Sequence, residues 1–164
     1  MANTHKVSFK LNGKGVEVAV EPRELLIHTL REKLAHTGPH IGCETSHCGA
    51  CTVDVDGMSV KACTVLTVQC DGSEMLTVEG LEQEGVLHAL QQAFHEEHGL
   101  QCGFCTPGFL MSITELLERS PDPTDEEIKD TLGGQICRCT GYQQIVAAVR
   151  SAAAKLRAGA GGYG

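Results

Sequence analysis

The segment Gly42-Cys-Glu-Thr-Ser-His-Cys-Gly-Ala-Cys-Thr52 decides the fold of this 164-residue chain. It places Cys43, Cys48 and Cys51 in the spacing C-x4-C-x2-C, and a fourth cysteine, Cys63, follows. This spacing is typical of the loop that binds a plant-type [2Fe–2S] cluster. Two other interpretations stay open at this point: four buried thiols without a metal, or zinc, although zinc sites usually pair two CxxC-type turns.

A second set of cysteines lies in the other half of the chain. Cys102 and Cys105 form C-x2-C, and Cys137 and Cys139 form C-x-C. Each pair is predicted to lie in a loop between two helices, where the N-terminal end of the following helix favours a negatively charged cluster. Zinc would also suit this set taken alone. The first set beside it favours a second iron–sulfur centre.

Around the first set the pattern is that of a β-sheet. Apolar residues alternate over residues 7–11 and 16–20 on either side of Asn12-Gly13, a strong hairpin signal. Residues 52–55 and 59–62 predict a second hairpin, and residues 76–78 a last strand. A helix is predicted to open at Pro22, because leucines recur one turn apart after it.

Around the second set the pattern is helical. Apolar residues over 86–94 predict a first helix, and Thr106-Pro107 begins a second that residues 120–123 break. A capping box at residues 124–127 opens a third helix, and apolar residues over 145–156 predict a fourth. The prediction is therefore an α+β chain: a β-grasp, ferredoxin-like domain over residues 1–80, a four-helix domain of two helix pairs around a cluster over 81–157, and a flexible tail over 158–164.

Composition excludes several classes of protein. The net charge of −8, without a basic stripe, argues against nucleic-acid binding. No run of 18 apolar residues predicts a membrane span, and the N-terminus does not resemble a signal peptide. Nine cysteines in a chain of this kind indicate metal or redox chemistry in a reducing cytoplasm. We also find no G-x-G-x-x-G, P-loop or HExxH motif.

Other conspicuous residues have ordinary interpretations. Cys70 is predicted to be a half-buried free thiol, and His47 to hydrogen-bond or lie at the surface. His95 and His98 resemble a metal spacing but fall towards the end of an amphipathic helix. Arg138, between two cysteines, would either offset cluster charge or form a surface ion pair.

Three segments together carry a family resemblance: residues 42–52, Gln101-Cys-Gly-Phe-Cys-Thr-Pro-Gly108, and Cys137-Arg-Cys-Thr-Gly-Tyr142. Over about residues 5–157 the chain resembles the small iron–sulfur subunit of the molybdenum hydroxylases, among them xanthine dehydrogenase and aldehyde oxidoreductase. Within that family it looks most like the small chain of aerobic carbon monoxide dehydrogenase. Enzymes that oxidise N-heterocycles or aldehydes share most of the motifs and are the alternative.

The resemblance implies an electron-transfer subunit that holds two [2Fe–2S] clusters and no catalytic residue. It implies a large partner subunit with a molybdopterin-type molybdenum cofactor, a medium partner subunit with FAD, and a dimer of heterotrimers. Cluster 1 would be held by Cys43, Cys48, Cys51 and Cys63, nearer the flavin. Cluster 2 would be held by Cys102, Cys105, Cys137 and Cys139, nearer molybdenum, with Gln101 and Cys139 approaching the pterin.

Two alternatives have different predictions. A zinc-stabilised interaction module would be colourless, whereas an iron–sulfur protein is red-brown. A free-standing two-cluster ferredoxin would be stable as a monomer. The two cysteine environments differ, so the family interpretation predicts two distinguishable reduction potentials and two EPR signals.

Overall fold

The N-terminal half is a five-stranded sheet built against one short helix. We describe residues 4–159 from a computed structural model. The strands follow the order β2-β1-β5-β3-β4, and β1 and β5 run parallel while the other neighbours are antiparallel. The elements are β1 (His5–Leu11), β2 (Lys14–Val20), β3 (Thr52–Val55), β4 (Met58–Lys61), β5 (Glu74–Leu76) and α1 (Leu26–His28), which continues as a wider π-helical turn, Thr29–Lys33.

Turn chemistry fixes both hairpins. Asn12 and Gly13 both have positive φ, 50° and 76°, and so do Asp56 and Gly57, 54° and 81°. Two successive residues of positive φ give the type I′ turn, whose twist matches that of paired strands. Both predicted hairpins are confirmed, and the alternating apolar residues of β1 face a core that includes Phe9, Ile27 and Met75.

Two elements of this half lie at positions that differ from the predicted ones. The helix begins at Leu26 and not at Pro22, because Leu25 is held extended in a β-bridge to Leu66 and Leu26 N donates to Val65 O. The last strand is Glu74–Leu76 rather than residues 76–78, because Thr77 N turns away to donate to the Asn12 side chain at 2.9 Å.

The C-terminal half of the described chain contains four helices. They are α2 (Ala89–Glu96), α3 (Thr106–Arg119), α4 (Asp125–Gly133) and α5 (Gln143–Arg157). Phe94, Phe109, Ile113 and Ile145 are among the buried side chains of a second core. The α+β class with a ferredoxin-like sheet is confirmed. The domain boundary at residue 80 stays a prediction, and most of the predicted tail, residues 160–164, lies outside the described residues.

Helix α2 starts later than the apolar pattern over residues 86–94 predicted. Val86 and Leu87 precede α2 and are 66% and 49% exposed. Gln83 and Val86 exchange both backbone hydrogen bonds in a tight turn, so the chain becomes helical only after His88, which caps α2. No helix within residues 4–159 is long and apolar enough to cross a membrane.

Candidate functional site

The first four cysteines converge because β3 and β4 are paired. Cys51 directly precedes β3, and Cys63 lies in the short 3-10 turn that directly follows β4. Thr52 pairs with Lys61, which brings the two cysteines alongside, and Ala62 N donates to Cys51 O at 3.3 Å. Both thiols are buried, and burial together with the neighbouring Cys63 thiol raises the pKa of Cys51 to about 12.

The loop between Cys43 and Cys48 points its amides inward. Thr45 N and Cys48 N each donate to Cys43 Sγ at 3.4 Å. Hydrogen bonds from the Thr45 side chain and from these two amides lower the pKa of Cys43 to about 6. Glu44 and Ser46 adopt positive φ, 54° and 58°, to make this wrap. The loop therefore already stabilises sulfur in its anionic form, which is the form that ligates iron.

The loop also has no room for larger residues beside its sulfur atoms. A Cβ at Gly42 would lie 2.8 Å from Cys48 Sγ, and Gly49 has φ +78°. Glycine at both positions therefore lets this loop wrap closely around its sulfur atoms. His47 is exposed, and its Nδ1 lies 2.7 Å from Thr45 O, so it occupies the surface position expected of it.

The second set of cysteines is brought together by two loops between helices, as predicted. Cys102 and Cys105 lie between α2 and α3, and Cys137 and Cys139 lie between α4 and α5. The Sγ atoms of Cys102 and Cys139 are 3.4 Å apart, and both residues are exposed. The inner pair is more buried: burial and a hydrogen bond with Cys137 raise the pKa of Cys105 to about 12. Two close thiol pairs suit a centre of two metal ions.

One buried hydroxyl beside the second set lacks a partner. Thr106 Oγ1, in the residue after Cys105, is inaccessible to solvent and makes no hydrogen bond within residues 4–159. A sulfur acceptor of a bound [2Fe–2S] cluster would satisfy it, because unpaired buried donors are rare. The thiol sets and this hydroxyl fit the cluster chemistry. Across the described part of the chain, no three His, Cys, Asp or Glu side chains are grouped to hold a single metal ion.

The two cysteine loops touch each other. Ile136 N, one residue before Cys137, donates to Cys48 O at 2.9 Å. The rings of His40 and Phe104 stack with centroids 4.6 Å apart, and His40 Nδ1 lies 2.7 Å from Phe104 O. A backbone hydrogen bond and a stacked pair thus hold one loop directly against the other.

The contact between the two cysteine loops continues through a group of residues that we call the seam: His40, Lys61, Gly108 and Gln135. Gln135, 3% exposed, donates from its side-chain nitrogen to Gly49 O at 2.9 Å, and its oxygen accepts from Thr52 Oγ1 at 3.0 Å and Lys61 Nζ at 2.9 Å. This amide orientation is the one that satisfies every neighbour. Gly108, in the first turn of α3, is so close that a Cβ there would lie 2.3 Å from Gly49 O.

Sequence reasoning did not single out the seam residues His40, Lys61, Gly108 and Gln135. Gly108 stood within a quoted motif and Lys61 within the predicted second hairpin, but nothing in the sequence pairs residue 135 with residues 49 and 61. Cys70 is buried in the sheet core, 2% exposed, rather than half-buried.

The remaining residues singled out from the sequence are at the surface. Gln101, Arg138, His95 and His98 are exposed. Arg138 forms no ion pair within residues 4–159. The role of Gln101 and Cys139 towards a pterin stays a prediction, as does the assignment of the eight cysteines as ligands.

Comparison with known proteins adds the family. Residues 9–87 match the model of a 2Fe-2S iron-sulfur cluster binding domain, and residues 77–150 match that of a [2Fe-2S] binding domain. The chain is 47% identical to the caffeine dehydrogenase subunit gamma of Pseudomonas sp. (strain CBB1), covering 91% of each chain. It is 51% identical to the nicotine 6-hydroxylase small subunit of Paenarthrobacter nicotinovorans, covering 90% of this chain and 88% of that one.

A solved structure shares the whole fold. In quinoline 2-oxidoreductase from Pseudomonas putida 86, one chain superposes with a TM-score of 0.91 at 42% identity, over 95% of this chain and 98% of that one. Identity at this level over nearly the full length, in both domains, identifies relatives and not only a shared fold. The chain belongs to the family of small iron–sulfur subunits of the molybdenum hydroxylases, and it has two [2Fe–2S]-binding domains.

Proposed function

We propose that this chain carries electrons from a molybdenum centre on a large partner subunit to FAD on a medium partner subunit. When bound, each [2Fe–2S] cluster accepts and releases one electron at a time. The observation that carries the proposal is the direct contact between the two cysteine loops, through the hydrogen bond from Ile136 N to Cys48 O at 2.9 Å. By this contact the chain holds its two sites as one continuous unit.

The assignment of ligands follows the two loops. Cluster 1 takes Cys43, Cys48, Cys51 and Cys63, and cluster 2 takes Cys102, Cys105, Cys137 and Cys139. The inward amides at Cys43 support the first assignment, and the unpartnered Thr106 hydroxyl supports the second.

Each site also reaches the surface on its outer side. Cys102 and Cys139 are exposed, and Phe104 and Ile136 beside them are 47% and 55% exposed. Large apolar side chains exposed around a reactive site favour a covering partner over a free-standing ferredoxin. We propose that the molybdenum subunit covers this face, with Gln101 and Cys139 towards the pterin, and that the FAD subunit covers the exposed loop 44–47.

The proposed assembly is supported by the name of a relative. The relative named 6-hydroxypseudooxynicotine dehydrogenase complex subunit beta is by its name part of a multi-subunit complex. We propose one large and one medium subunit per copy of this chain, paired as a dimer of heterotrimers in the cytoplasm.

For the substrate, the relatives support an N-heteroaromatic compound over carbon monoxide, which the sequence motifs favoured. Caffeine, nicotine and quinoline, named in the relatives above, all contain nitrogen heterocycles. We therefore propose hydroxylation of an N-heterocycle on the molybdenum subunit. An aldehyde is the second candidate, because an aldehyde oxidoreductase iron-sulfur-binding subunit of Escherichia coli is 37% identical.

The test is the cofactor content of the complex purified through a tag on this chain. We expect four iron and four acid-labile sulfide per chain, together with molybdenum and FAD, and two EPR signals on reduction. Cys48→Ser and Cys105→Ser should each remove a different signal. Zinc in place of iron, or a purified chain without molybdenum and FAD partners, would contradict the proposal. Nicotine, quinoline, an aldehyde and carbon monoxide as electron donors would then separate the substrate classes.

A further inference from the structure

The seam between the two cysteine loops holds a positive charge without a carboxylate partner. Lys61 Nζ donates to Gly134 O at 2.8 Å, to Gln135 at 2.9 Å and to Thr52 Oγ1 at 3.2 Å. A protonated lysine has three N–H donors, and these three acceptors use all of them. Within residues 4–159, no carboxylate lies within ion-pair distance of Lys61.

The nearby acidic side chain is engaged elsewhere. Glu115 lines the same small cavity as Lys61, of about 190 Å³, and its Oε2 accepts from Ser59 N at 3.0 Å. Arg119 also lines this cavity. Lys61 is therefore anchored by neutral oxygen atoms, which orient the ammonium without cancelling its charge.

Lys61 lies next to the first cysteine set along the β3–β4 hairpin. Lys61 is paired across the hairpin with Thr52, the residue after Cys51, and it lies two residues before Cys63. Burial lowers the pKa of Lys61, and the Cys51 and Cys48 thiols act in the opposite direction. The ammonium itself contacts the Thr52 side chain at 3.2 Å, so it lies beside the first cysteine set.

We propose that the Lys61 ammonium is the fixed charge that raises the reduction potential of cluster 1. The inference rests on the proposed electron-transfer function. A reduced cluster has one more negative charge than an oxidised one, so a nearby cation stabilises the reduced form. A transfer of one electron would oxidise cluster 2 and reduce cluster 1, and the charge of Lys61 would favour the transfer in that direction. Lys61 thus acts as a positioning charge that gives the transfer its direction.

The test is an EPR-monitored redox titration of the purified complex. Lys61→Met should lower the electron affinity of cluster 1 about tenfold, which is about 59 mV for one electron. Cluster 2, titrated in the same sample, should shift less. Lys61→Arg keeps the charge and should stay within about threefold of the unmodified complex. Lys129→Met, which removes an exposed lysine from α4, is the control and should leave cluster 1 unchanged.

Each result decides between explanations. A shift in Lys61→Met no larger than in Lys129→Met, or an equal shift in Lys61→Arg, would overturn the charge mechanism. If Lys61→Met does not retain cluster 1, Lys61→Gln provides a second neutral variant. Loss of the cluster from both neutral variants but not from Lys61→Arg would also overturn it, in favour of a role in cluster assembly. An unmodified complex without two clusters would instead refute the proposed function.

Discussion

Replacing Gly108 by alanine tests whether the close contact between the two cysteine loops is needed for stability. A Cβ at this position would lie 2.3 Å from Gly49 O and 2.9 Å from the Gln135 side chain. The first neighbour is backbone at the surface of the first cysteine loop, so a side-chain rotation cannot relieve the clash. The loop and α3 must separate by several tenths of an ångström, at the expense of the hydrogen bonds of Gln135.

We expect this overpacking to cost about 1–3 kcal/mol. For a chain of this size that corresponds to a decrease of about 2–12 °C in the unfolding midpoint. The measurement is the loss of visible iron–sulfur absorbance on heating the purified complex, because this signal reports on this chain and not on the whole assembly. The iron content of the unheated variant should be determined in parallel.

Gly133→Ala is the matched control. Gly133 ends α4 in the same half of the chain, and a Cβ there meets no atom within 4 Å. Its midpoint should equal or slightly exceed that of the unmodified complex, since alanine favours helix. If Gly108→Ala behaves like Gly133→Ala and keeps both clusters, the seam does not constrain the two loops and the argument is refuted.

Three further predictions follow from single side chains. Thr106→Val should lower the reduction potential of cluster 2 by the equivalent of about 1 kcal/mol in an EPR-monitored titration. The reason is that the buried Thr106 hydroxyl, which has no hydrogen-bond partner within residues 4–159, is available to donate to a cluster sulfur. Thr106→Ser keeps this hydroxyl and should leave the potential unchanged. His28 lies between Glu32 and Glu44, 3.0 and 2.9 Å away, and these carboxylates raise the pKa of His28 above 6.5. The protonated imidazole therefore stabilises the fold by less than about 1 kcal/mol. This stabilisation is fully present below pH 6.5 and is lost as the pH rises through the raised pKa. His28→Gln should abolish this pH dependence of the unfolding midpoint, and an unchanged profile would contradict it. Cys70→Ala should keep the full iron content at a stability cost of about 1 kcal/mol, because this buried thiol belongs to neither set, and loss of iron would show that it does.

Local signals in the sequence were sufficient for much of the fold. Asn12-Gly13 and Asp56-Gly57 form turns with two successive positive φ angles, which few other residue pairs adopt, and these turns fix both hairpins. The capping box at Thr124 likewise fixes the start of α4, since the Thr124 and Glu127 side chains each accept a hydrogen bond from the backbone N–H of the other residue. Cysteine spacing located both loops of the candidate site, because ligands must converge on one small group.

The predictions failed where a contact outside the helical pattern overrides it. Val86 and Leu87 fit a helical stripe, but the turn closed by Gln83 holds them outside α2. Leu25 fits a helix that opens at Pro22, but its bridge to Leu66 keeps it extended. The seam was not predictable because the hydrogen bonds between Lys61 and Gly134 and between Thr52 and Gln135 join residues more than 70 positions apart, and no sequence pattern encodes such a pairing.

The hydrogen bond from Ile136 N to Cys48 O has a consequence for how the chain matures. Each cysteine loop supplies part of the framework that keeps the other in shape. A loop that has received its cluster is rigid and therefore presents its neighbour in a form ready for loading. Loading of one loop should accordingly speed loading of the other, and half-loaded chains of the unmodified protein should be short-lived intermediates during biogenesis.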